Sequence, residues 1–128
     1  MNISQEEVEI YINEVKQSVN AGRYQISNRS KNQKLFIDYV LSEDKCKEII
    51  LSLSTQDFSV AVNNDHPDHP EEILYIFGKD VKLLPRFGGD LKIVALYIKF
   101  NKLPHKYVVV ISFHEQDHPL VYPFKSGI

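Results

Sequence analysis

One cysteine, one methionine, five glycines and no tryptophan are all that these residue types contribute to a chain of 128 residues. The lone Cys46 excludes an internal disulfide and a cysteine-built zinc module. No apolar run is long enough to span a bilayer. No P-loop, G-x-G-x-x-G turn or G-x-S-x-G nucleophile elbow is present, so the nucleotide and hydrolase sites those strings announce are not written here. Residues 1–7 are acidic where a secretory leader is basic, and no apolar core follows them. That predicts a cytoplasmic protein with no membrane contact.

What is present is the make-up of a folded domain: 43% hydrophobic and 25% charged residues, at a length that suits a single domain over 1–128. The net charge of −2 conceals a split. Residues 1–78 carry seven Lys and Arg against thirteen Asp and Glu, and residues 79–128 carry eight against four. A basic half suits a polyanion site, and it suits charge scattered over a surface equally well.

Helical signals come first. Ser4 with Glu7 forms a capping box, Val8, Tyr11, Ile12, Val15 and Val19 repeat at helical spacing, and Gly22 stops the run. A short extended piece over 23–27 precedes a second helix over 31–40. Ser42 caps a third, whose apolar stripe holds Cys46, Ile49, Ile50 and Leu53, which predicts a buried, unreactive thiol. After residue 54 the pattern turns to strands, at 58–62, 73–81, 91–101 and 106–115. Helices followed by a meander predict an α+β fold, with N-terminal helices packed on a curved antiparallel sheet of about four strands.

Period-two alternation assigns faces. Val94, Leu96, Ile98 and Phe100 point to the core, as do Val109, Ile111 and Phe113, with Leu74 and Ile76 joining them. A tight turn at residues 103–106 sets Tyr97 opposite Ser112 and Ala95 opposite His114. Tyr97 and His114 are then diagonal neighbours, about 7–8 Å apart between backbones. One open face therefore offers Tyr75, Lys79, Tyr97, Lys99 and His114. Cations with His and Tyr, and no acidic partners, suit a phosphodiester: the cations neutralise phosphate, and His or Tyr moves a proton. Tyr75 and Tyr97 can also stack on unpaired bases.

Two strings invite a metal. His114-Glu115-Gln116-Asp117-His118 spells the zinc-protease motif, which works only on a helix. Here it ends a β-branched run and meets Pro119, and on a strand its histidines stand about 13 Å apart. Asp65-His66-Pro67-Asp68-His69 lies in a proline-bound loop and reads as a solvated turn. No metal or other cofactor is expected.

The chain also resembles a family. The capped first helix, the basic Asn28-Arg29-Ser30-Lys31-Asn32, Ile49-Ile50-Leu51-Ser52-Leu53-Ser54, Asp57-Phe58, Tyr97-Ile98-Lys99 and Ile111-Ser112-Phe113-His114-Glu115 look like the MqsR-type toxins of the RelE-like toxin–antitoxin ribonucleases. The likeness runs over about residues 45–115, with weaker cover before. The family's Asp-Phe-Tyr-Lys reads Asp57-Phe58-Ser59-Val60 here, and Glu71-Glu72 precede the strand of Tyr75. The resemblance implies a metal-independent mRNA endoribonuclease restrained by an antitoxin protein. The RNA 2′-hydroxyl would attack the adjacent phosphorus. His114 would move the proton, Lys99 with Lys79 would stabilise charge, and Tyr97 would orient the nucleophile or stack a base. A non-catalytic RNA- or protein-binding module is the alternative.

Overall fold

Residues 1–126 are described by the computed structural model. Its helices are α1 (Gln5–Asn20), α2 (Ser30–Asp38) and α3 (Glu43–Leu51), and its strands β1 (Tyr24–Ile26), β2 (Tyr39–Val40), β3 (Phe58–Asn63), β4 (Ile73–Pro85), β5 (Lys92–Leu103) and β6 (Tyr107–Glu115). The class is α+β. The sheet departs from the expectation of about four antiparallel strands: six strands form a curled mixed sheet in the order β1-β6-β5-β4-β2, with β3 also on β4. β1 runs parallel to β6. The extended piece expected over 23–27 is β1, and β2 takes the last two residues of the helix expected over 31–40; the partners of both strands are distant in the chain.

Local signals explain the helices. The Ser4 hydroxyl accepts from the Glu7 amide at 3.1 Å, and Glu7 accepts from the Ser4 amide at 3.2 Å, a cap that contributes about 1 kcal/mol. α1 buries Val8, Tyr11, Ile12, Val15 and Val19. Ser42 caps α3 through the Lys45 amide, and Cys46 is 1% exposed, with burial pushing its thiol up to about 11. α2 is fastened at both ends. Arg86 donates to the carbonyls of Phe36, Ile37 and Tyr39 at its C-terminus, where the helix dipole favours a cation. Asn32, 1% exposed, accepts from the Phe113 amide at 2.8 Å and donates to the Ile111 carbonyl at 3.0 Å. It satisfies the β6 edge where β1 has ended. No helix among the described residues is long and apolar enough to cross a membrane.

β5 alternates as its sequence says, with Val94, Leu96, Ile98 and Phe100 fully buried. β6 does not, because a bulge lies between Lys99↔Ser112 and Phe100↔Val110 and leaves Ile111 as the extra residue. Val108, Val110 and Phe113 are therefore the core residues, and not Val109 and Ile111. The β5–β6 turn also takes three residues, Pro104–Lys106, with His105 and Lys106 at φ 65° and 57°. One residue from the turn and one from the bulge move the pairing by two. Tyr97 now faces His114 directly, and Lys99 faces Ser112.

β4 inverts the expectation. Its register puts Tyr75 beside Phe100, Phe77 beside Ile98 and Lys79 beside Leu96, all on the helix-covered face. Leu74 and Ile76 are buried too, on the other face with Gly78. Both faces of this stretch are covered, so alternation cannot separate them.

Candidate functional site

The sheet face away from the helices carries a cleft of about 420 Å³. Its floor is the β5–β6 pair, with Tyr97 and Lys99 from one strand and Ser112 and His114 from the other. The N-terminus of α2 supplies Arg29 and Lys31, and the segment after β6 supplies Asp117 and His118. Asn32 holds α2 to β6 and so fixes the distance between Arg29, Lys31 and the floor.

The Tyr97 and His114 rings stack at 5.1 Å with 13° between planes. His114 Nδ1 lies 2.9 Å from the Glu115 carbonyl oxygen. A carbonyl only accepts, so Nδ1 carries a proton, and Nε2 is the ring nitrogen left for a ligand. Arg29 reaches the Ser112 hydroxyl at 3.5 Å, and Lys31 pairs with Asp117 at 2.5 Å. Burial raises the Tyr97 phenol above its ordinary pKa, against the opposing pull of Arg29 and Lys31. Burial, with Arg29 nearby, lowers the Lys99 ammonium, and Asp65 opposes this. The hydrogen bond from Lys31, reinforced by its charge, holds the Asp117 carboxyl below the usual range. Such a cleft can bind an anion on Arg29 and Lys99 while an imidazole faces it.

Three of the five expected site residues, Tyr97, Lys99 and His114, meet here. Tyr75 and Lys79 do not. Tyr75 is 8% exposed and stacks on Tyr11 at 3.7 Å. Lys79 pairs with Asp57 at 3.4 Å and donates to the Ser52 carbonyl. Arg29, Lys31, Asp117 and His118 are additional. The basic stretch 28–32 just before an amphipathic helix was the signal for the first two; the bend that delivers the others has none. The cations of the basic half are not gathered at this cleft. Lys79 and Lys102 are spent on Asp57 and Glu14, Arg86 caps α2, and two of the cleft's cations come from the acidic half.

The zinc-protease string lies on the end of β6 and a bend, with no helix over it. In the histidine loop, ligand atoms of His69, Glu71 and Glu72 come within 4.8 Å of one another. The Glu72 carboxylate there already accepts from Asn64 and Asn101, each at 3.0 Å.

After Glu115 the chain bends across the open face. The Gln116 amide donates to the Ala95 carbonyl at 2.8 Å, and its side chain donates to Leu96 and Tyr122. Gly78 makes the seat for this strap: a Cβ there would overlap Tyr122 Oη and stand 2.8 Å from Gln116 Nε2. In comparison with known proteins, the chain matches no protein-family model and no curated protein.

Proposed function

We propose that this chain is a metal-independent endoribonuclease acting on mRNA in the cytoplasm, the toxin half of a toxin–antitoxin pair held inactive by an antitoxin protein. The observation that carries the reading is the stacked Tyr97–His114 pair, its imidazole oriented by the Glu115 carbonyl, beside the Arg29 and Lys99 cations. His114 Nε2 takes the proton of the RNA 2′-hydroxyl as that oxygen attacks the adjacent phosphorus. The product is a 2′,3′-cyclic phosphate. Lys99 and Arg29 stabilise charge on the pentacoordinate phosphorus. Tyr97 keeps the imidazole plane in place and offers its exposed edge to a base.

The test is direct. Purified protein, freed of any partner, is incubated with mRNA in a metal chelator, and the ends are analysed. Cleavage leaving cyclic phosphate, lost in His114→Ala, is the expected result. Equal cleavage by His114→Ala would show the assignment to be wrong. RNA binding with no cleavage by the wild type would favour a binding module, a reading supported by Tyr75 and Lys79 turning away from the cleft.

A further inference from the structure

Transfer of phosphorus from the 5′-oxygen to the 2′-oxygen moves two protons. His114 accounts for one. With Nδ1 committed to the Glu115 carbonyl, Nε2 is the nitrogen it has for taking the 2′-hydroxyl proton, and an in-line displacement needs a donor on the opposite side of phosphorus. The cleft contains one other imidazole, His118. The reading that follows rests on the nuclease proposed above.

We infer that His118 is the general acid of this cleft, protonating the 5′-oxygen as it leaves. In the balanced step, O2′ gives its proton to His114 Nε2 and bonds to phosphorus. The bond from phosphorus to O5′ breaks, and O5′ takes a proton from the His118 imidazolium. Elimination among the cleft's other donors leads to the same residue. Arg29 does not give up a proton at physiological pH. Lys31 is held by Asp117 at 2.5 Å, and burial has made the Tyr97 phenol a weaker acid than usual. Lys99 stands beside Arg29, where its charge serves the pentacoordinate phosphorus. The His118 ring makes no hydrogen bond among the described residues, so it is free to meet a ligand.

Its position is also built. Gln116 ties the chain to Ala95 and Leu96, Lys31 ties Asp117, and Pro119 ends the bend. The four-residue spacing that would serve a metal on a helix here brings the two imidazoles to one cleft through a bend.

The experiment uses an RNA that the wild type cleaves and the same RNA with sulfur replacing the 5′-oxygen of the cleaved bond. Thiolate leaves without protonation, so loss of a general acid is rescued and loss of a base is not. His118→Gln should cleave ordinary RNA about 10²–10³-fold more slowly and the sulfur substrate at close to the wild-type rate. His114→Gln should be slow on both. His118 is exposed, and an unchanged melting curve checks the fold. Wild-type cleavage of ordinary RNA by His118→Gln, equal slowing on both substrates, or sulfur rescue of Lys99→Ala instead would each overturn the assignment while leaving the nuclease in place. A wild type that cleaves neither substrate overturns both.

Discussion

Tyr75 and Lys79 on β4, and Tyr97 and Lys99 on β5, are similar residues on neighbouring strands with opposite fates. On the helix side, Tyr75 is sealed between Tyr11 and Phe58, and Lys79 is spent on Asp57. On the open side, Tyr97 stacks on an imidazole, and Lys99 has no ion-pair partner among the described residues. The chemical character of a side chain did not decide its use. What covers its face of the sheet did, because a covered cation must find a carboxylate or carbonyl, whereas a cation over a cleft is left for a ligand.

The comparison can be broken by substitution on either side. The largest effect is expected at His114. His114→Ala should cut RNA cleavage by about 10²–10⁴-fold with an unchanged thermal midpoint, since the ring is only half-buried. Tyr75→Ala should do the reverse. It empties a stacked aromatic site and should destabilise the fold by about 3–5 kcal/mol, seen in urea unfolding, while the remaining folded protein keeps its RNA affinity.

Gly78→Ala couples the regions. Its new methyl group collides with Tyr122 and Gln116, so a loss of about 1–3 kcal/mol is expected, together with reduced cleavage because the displaced strap carries Asp117 and His118. Protease sensitivity of the C-terminal segment reports the displacement.

Lys99→Ala should weaken RNA binding about tenfold at low salt and reduce the salt slope by about one. The lowered Lys99 pKa adds a pH signature. The cation exists below its pKa, so wild-type binding should fade as pH rises through a value below the ordinary lysine value of about 10.4, and Lys99→Arg should hold binding to higher pH. Titrations by fluorescence anisotropy distinguish the two. Smallest of all, Lys79→Met should cost under about 1 kcal/mol of stability, as partly exposed pairs do, and leave RNA binding untouched. A binding defect in Lys79→Met as large as that in Lys99→Ala would erase the distinction between the faces.

Where the chain's patterns could be trusted follows from what surrounds each element. The Ser4–Glu7 box, the α1 stripe, the buried Cys46 and the β5 alternation were legible because one side of each meets core and the other meets water. β4 was misread because Leu74, Tyr75, Ile76 and Phe77 are all buried, two on each face. Parity carries no information there. The Ile111 bulge was invisible for a different reason: a β-branched run reads as a continuous strand whether or not one residue is looped out. Of the candidate site, Tyr97, Lys99 and His114 were legible, but as diagonal neighbours and not as a stacked pair.

By itself, then, the sequence determined the class of the fold, its helix caps, the core of its central strand and the identity of three cleft residues. These depend on contacts within a few positions and on the free-energy difference between burying and exposing a side chain. Tertiary structure alone decided that β1 joins β6 in parallel, that a bulge and a three-residue turn bring Tyr97 face to face with His114, and that Arg29, Lys31 and His118 converge on them. Each of those outcomes depends on pairing between residues distant in the chain, where a shift of one position exchanges the two faces of a strand.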